Sequence, residues 1–127
     1  MLKDRNSSAI VAVSDIARAR TFYEDTLGLT LIDSNAEAGV MAFRTGDTRL
    51  TVYRSEFAGT NRANAVTWDL NGDIVAVVDD LRAKGVTFEH YTDMGMTLNG
   101  DIHEAGPAKL VWFKDPDGNI LHLIEGM

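Results

Sequence analysis

Apolar and polar positions along this chain trace the same short cycle twice. The first cycle opens with AIVAV, residues 9–13, a β-prone run that stops at Ser14-Asp15. Either short polar side chain can accept from the orphan N–H groups of a following helix. In IARARTFYEDTL, residues 16–27, the residues Ile16, Ala19, Phe22, Tyr23 and Leu27 fall near one stripe, and Arg18, Arg20, Glu24 and Asp25 fall mostly off it. That is the period of an amphipathic helix. Gly28 ends it, as a residue that takes positive φ freely. LTLI, GVMAFRT and TRLTVYR then predict three strands, with Thr45-Gly46-Asp47 turning the last two.

The second cycle begins at Ala65. AVTWDL predicts a strand, Asn71-Gly72-Asp73 the cap region, IVAVVDDLRAK a helix stopped at Gly85, and VTFEHY the next strand. AKLVWFKD and NILHLIE make a closing pair turned by DPDGN, where proline fixes one corner position and glycine or asparagine supplies another. Asp15 lies thirteen residues before Gly28, and Asp73 twelve before Gly85. Two β-α-β-β-β units are therefore expected, residues 7–57 and 64–126 of a single 1–127 domain, since neither sheet buries itself alone. The copies differ between Tyr91 and Lys109, where the second carries TDMGMTLNGDIHEAGPA against SNAEA in the first. A segment of that length reads as an irregular stretch, either a binding lid or a flexible surface loop.

Composition narrows the function classes. With 127 residues, 45% of them apolar and 24% charged, this is one soluble globular domain's worth of chain. A formal charge of −7 argues against nucleic acid or an anionic membrane as the main partner, though one local arginine can still meet an anionic small molecule. No cysteine is present, which removes disulfides, thiolate zinc sites and cysteine nucleophiles. No apolar run approaches the roughly 18 residues of a membrane span, and MLKDRNSS lacks a signal-type apolar stretch, so the cytoplasm is the expected location. Neither a Walker lysine, a GxGxxG context nor a GxSxG elbow occurs, and DPDGN lacks the further ligands of a calcium loop.

Three stretches carry a resemblance: SDIARARTFYEDTLGL, GDIVAVVDDLRAKGV and WFKDPDGNILHL. Together they resemble the vicinal oxygen chelate superfamily, the glyoxalase, bleomycin-resistance and extradiol-dioxygenase group, over essentially Ser7 to Glu125. The resemblance implies an α+β fold of paired βαβββ modules with mixed, curved sheets around a cavity, and often a twofold partner. It also implies where a metal would sit in members that use one. The first-module histidine position falls on Ser8, seven residues before Asp15, and the second on Ala65 or Val66. The late-strand ligand position falls on His122, with Thr51, give or take one residue, as its counterpart. Read without the resemblance, the three histidines, His90, His103 and His122, form no short-range pair, and a divalent site needs three or four good donors. No metal or other cofactor is expected.

Strand alternation supplies the candidate ligand contacts. Leu121 and Leu123 share one face of the last strand, and Ile120, His122 and Ile124 the other. By resemblance the second face lines the cavity. His122 is then a neutral imidazole touching ligand, or a half-buried histidine bonded to a neighbour. Thr51 and Tyr53 share a face, Arg54 offers a cation at a strand end, and Asp69 inside a short strand must be solvated, paired or in use. Trp112 and Phe113 point opposite ways, and alternation leaves open which meets the cavity. Ile10, Ala12 and Ile124 supply an apolar wall. The expected function is metal-independent binding of a small organic molecule by a homodimer. A lyase, isomerase or dioxygenase, or a structural or regulatory dimer, stands as the alternative.

Overall fold

A computed structural model describes residues 1–126, and the chain divides into two compact units, one ending at Thr60 and one beginning at Asn61. The first unit holds strand β1 (Ala9–Val13), helix α1 (Ile16–Arg20), and strands β2 (Thr30–Asn35), β3 (Val40–Thr45) and β4 (Thr48–Arg54). Its sheet runs β1-β4-β3-β2, with β1 parallel to β4 and the other pairs antiparallel. Asp15 caps α1 as the sequence predicts, its carboxylate accepting from the Arg18 N–H at 3.0 Å. The expected α-helix over 16–27 changes winding half-way, and Thr21–Thr26 is π-helical. The wider turn delivers Tyr23 wholly into the core, 6.0 Å from the Phe43 ring, where Val11, Val13, Met41, Leu50 and Val52 also lie. Full burial of each such side chain favours folding by about 1.5–3 kcal/mol. Strand β2 also runs further than LTLI predicts. Ser34 and Asn35 still pair with Met41 and Val40, because Gly39 at φ 71° makes the return tight.

The second unit holds β5 (Asn64–Asp69), helix α2 (Ile74–Ala83), β6 (Phe88–Glu89), β7 (Thr97–Asn99), β8 (Ile102–Ala105), β9 (Ala108–Lys114) and β10 (Ile120–Glu125). Its strand order is β5-β10-β9-β8-β7, with β5 parallel to β10 and β6 pairing a second stretch of β9. Both units are thus βαβββ modules with mixed sheets, the α+β architecture the sequence predicts. The irregular stretch is a correction. It contains the β7-β8 hairpin, and β8 pairs with β9 from Ala108 to Leu110 while β6 takes Trp112 and Phe113. Two short strands on β9 therefore occupy the place held by a single strand, β2, in the first unit.

Helix α2 also starts differently from expectation. Asp73 makes no side-chain cap; Glu125 at the end of β10 accepts from the Ile74 N–H at 3.0 Å instead. That bond ties the helix to the last strand, and Ile74, Val78 and Leu81 are buried with Val111, Phe113, Leu121 and Leu123. The DPDGN corner is held from within. Asp115 is buried, and its carboxylate accepts from the Asp117 and Asn119 N–H groups at 3.0 and 2.9 Å and from Asn119 Nδ2 at 2.8 Å. Gly118 takes φ 88° there. No helix among the described residues is long and apolar enough to cross a membrane.

Candidate functional site

The corner just described fixes the register of β9 against β10, and register decides what stands on the open face of the second sheet. Trp112 is paired with His122, Lys114 with Ile120, and Glu89 with Trp112. The indole and imidazole stack, with centroids 4.7 Å apart and planes at 19°. The Trp112 Nε1–H donates to Asn64 Oδ1 at 3.1 Å, which fixes the indole in its plane. Tyr91 meets Trp112 edge to face at 5.2 Å. Of the two aromatics that alternation leaves open, Trp112 faces this side with only 5% of its surface exposed, while Phe113 packs on the other face against Phe88.

These residues border a recess of about 400 Å³ in the second unit. Trp112, Tyr91, Met94 and Ile120 form its apolar surface, and Arg62, Asn64, Glu89 and Lys114 its polar points. Lys114 and Glu89 form an ion pair at 3.1 Å, whereas Arg62 has no ion pair or side-chain hydrogen bond among the described residues. The recess therefore carries one uncommitted cation inside an acidic protein. Burial first, and then the Glu89 charge, push the Tyr91 phenol above its usual pKa, so it stays a neutral donor.

Two histidines lie behind this surface, and both are neutral near pH 7. His122 is 6% exposed, and its Nδ1 lies 3.1 Å from the Val111 carbonyl, so Nδ1 carries the proton and donates. Burial holds its pKa below the ordinary histidine value. His103, on β8, is 1% exposed and accepts at Nε2 from the Tyr91 N–H at 2.9 Å. Its Nδ1 proton has no partner of good geometry among the described residues, although the Leu110 backbone is near enough to oppose in part the burial that lowers its pKa. The His103 and Trp112 rings meet edge to face at 4.9 Å. The order of support is thus His103 to the Tyr91 backbone, and His122 to the Trp112 ring.

The excursion that carries Tyr91 and Met94 is pinned at its neck. His90 Nε2 lies 2.7 Å from Asp101 Oδ1, and Arg82 of α2 donates through Nε to Asp101 Oδ2 at 3.2 Å and through Nη1 to Asp79 at 3.0 Å. The Arg82 guanidinium, and then His90, hold the Asp101 carboxyl below its ordinary pKa.

Of the six side chains expected as ligand contacts, Trp112 lines this recess, and His122 stands against it. Asp69 is exposed on β5, the solvated outcome among the three open to it. Thr51, Tyr53 and Arg54 belong to β4 of the first unit, where Thr51 and Tyr53 are half-buried. Arg54 is exposed and lies across Gly39, where a β-carbon would stand 3.2 Å from its guanidinium carbon. Sequence reasoning passed over Tyr91, Met94, Glu89, Arg62, Asn64 and Lys114. Alternation from Trp112 reaches Lys114 directly; the others depend on where β6 ends and on the shape of the excursion.

The sequence profile of the Glyoxalase/Bleomycin resistance protein/Dioxygenase superfamily matches residues 7–123. The chain belongs to that superfamily. Solved structures agree in fold. A putative glyoxalase family protein from Bacillus anthracis superposes with a TM-score of 0.74 at 19% identity, covering 97% of this chain and 99% of the other. A lactoylglutathione lyase from Agrobacterium tumefaciens gives 0.72 at 16%, covering 97% and 94%. A genomically encoded fosfomycin resistance protein from Listeria monocytogenes gives 0.73 at 13%, covering 98% and 94%. No curated protein matches the chain in sequence. At these identities the likeness establishes the superfamily fold alone.

The divalent metal that some superfamily members use does not fit the residues present. Ala65 and Val66 carry no donor atom, Ser8 offers only a hydroxyl, and no group of three His, Asp or Glu side chains among the described residues is placed to hold an ion.

Proposed function

We propose that this superfamily member binds a small planar organic molecule in the recess of its second unit, without a metal. The observation that carries the reading is the Trp112 indole, held in its plane by Asn64 and stacked on His122, at the wall of a recess with Tyr91, Met94 and Ile120. A fixed aromatic surface with a few convergent polar groups is the usual form of a small-molecule site. A ring laid against the indole exchanges water for aromatic contact, and Arg62 and the Tyr91 hydroxyl supply donors at its edge. An acceptor-bearing or anionic substituent suits those donors. His122 serves this site through Trp112, keeping the indole at the wall.

The test uses tryptophan emission. The chain has two tryptophans, Trp68 and Trp112, so Trp68→Phe leaves Trp112 as the sole reporter. Aromatic carboxylates and amides chosen by a thermal-shift screen should quench or shift that emission saturably. Trp112→Ala should weaken them about tenfold or more, since each aromatic contact adds about 0.5–1.5 kcal/mol beyond the area it buries. Hits that bind Trp112→Ala as tightly as the parent chain would overturn the reading.

A further inference from the structure

A second recess, of about 660 Å³, lies within the first unit, where the segment before β1 meets the β3-β4 hairpin. Its border includes three of the chain's eight arginines, Arg5, Arg44 and Arg49. Arg44 and Arg49 stand directly opposite each other in the β3-β4 ladder. Like charges in that relation destabilise a sheet. Nothing in the unit relieves them. None of the three guanidinium groups makes an ion pair or side-chain hydrogen bond among the described residues, and Asp47, the one carboxylate at the border, pairs with none of them.

This clustering runs against the composition. Acidic side chains outnumber basic ones by 19 to 12, so scattered arginines would find carboxylates easily. Arg20 does so with Glu24, and Arg82 with Asp79 and Asp101, whereas Arg62, which lacks such a partner among the described residues, borders its recess with no other arginine. Three uncommitted cations facing one recess thus form a local field opposite in sign to that of the whole chain. Ser7 and Ser8 border the same recess, and their hydroxyls have no partner among the described residues. Thr48 Oγ donates to the Thr45 carbonyl at 3.0 Å, which leaves its lone pairs free and its proton spent.

We infer that Arg5, Arg44 and Arg49, with Ser7 and Ser8, form a binding site for a phosphate group carried by a small molecule. Guanidinium forks match oxyanions through paired N–H donors, and such charge-assisted bonds are shorter and stronger than neutral ones. Three cations against one carboxylate leave two positive charges, which a phosphate monoester dianion balances. Two serine hydroxyls add donors for the remaining oxygens. The recess volume exceeds that of a bare phosphate and leaves room for an organic substituent. An extended polyanion such as nucleic acid is disfavoured by the −7 charge of the chain around the site.

The test is a titration of the full-length, isotope-labelled chain with inorganic phosphate and with phenyl phosphate, following backbone amide resonances. Ionic strength is held constant with sodium chloride. Saturable shifts should centre on Ser7, Ser8, Thr48 and Arg49, with phenyl phosphate binding at least as tightly as phosphate. Arg44→Gln and Arg49→Gln should each weaken both ligands about tenfold, while Arg18→Gln, on α1, should leave them unchanged. Because relief of the facing charges removes a repulsion, neither glutamine variant should melt below the parent chain, and a folded spectrum certifies each. Shifts that chloride reproduces, that fail to saturate, or that survive both variants would overturn the site. Tighter binding of malonate than of phosphate would overturn the assigned ligand chemistry.

Discussion

Replacing His122 with alanine removes a buried ring, a stack and a hydrogen bond together, so the cost is calculable from the structure. The stack on Trp112 has centroids 4.7 Å apart, and such contacts contribute about 0.5–1.5 kcal/mol. The Nδ1–H bond to the Val111 carbonyl at 3.1 Å contributes about 1 kcal/mol, and the carbonyl it abandons stays out of water. The vacated volume adds a cavity term. A total of about 3 kcal/mol follows. Unfolding entropy near 2.1 cal/mol/K per residue gives about 0.27 kcal/mol/K for 127 residues. His122→Ala should therefore melt about 11 °C below the parent chain. His122→Phe keeps a ring over the indole and loses only the hydrogen bond, about 1–2 kcal/mol or roughly 4–7 °C. Scanning calorimetry at pH 7.5 separates the three proteins. An alanine variant melting within about 3 °C of the parent would refute the claim that this imidazole is a packed support for Trp112.

Three further outcomes are expected. His103 and His122 both have pKa values lowered by burial, so on acidification the unfolded chain takes up protons first. Stability should be full above about pH 7 and fall below the unfolded value near 6.5, by at most about 1.4 kcal/mol per pH unit for each histidine; urea denaturation between pH 7.5 and 5.5 measures the slope, and His122→Phe should reduce it. Elemental analysis should find well under one equivalent of Zn, Fe, Mn, Ni or Co, and a chelator should leave the melting temperature unchanged, because Ala65 and Val66 have no donor to give. We also propose that the chain is a homodimer, since β2 ends its sheet with an open edge and Ile10 is 62% exposed; light scattering should give near twice 13.9 kDa, and a monomer mass at high micromolar concentration would refute it.

Much of the fold was legible because each module repeats a local code. An aspartate before the helix, a 3.6-period stripe and a closing glycine lie at near-equal spacing in both halves, although only Asp15 makes a side-chain cap, and period-2 alternation is clear in β4. What alternation cannot encode is a strand in two pieces. Nothing in VTFEHY says that pairing stops after Glu89, or that β8 resumes it from His103 onward. That interruption is a tertiary decision, made by β9, whose length accommodates both partners. The π-helical turn at Thr21–Thr26 is of the same kind. The apolar stripe still delivers Tyr23 to the core beside Phe43, and the winding beneath it differs from the α-helical period.

The candidate site follows from the interrupted strand. Because β6 stops at Glu89, the chain leaves the sheet at His90 and Tyr91, and the neck at Asp101 returns it. Tyr91 reaches Trp112 from this excursion, with its N–H on His103. The buried histidine thus earns its place by holding a departing backbone, a role invisible in a sequence where His103 sits among polar and glycine residues. The same logic explains why His122 drew attention for ligand contact while Trp112 stands at the recess wall. The two rings stack on one face of the sheet and are almost equally buried, and it is the indole that reaches the border of the recess. On the proposed function, a histidine at this strand position serves recognition through the ring it supports.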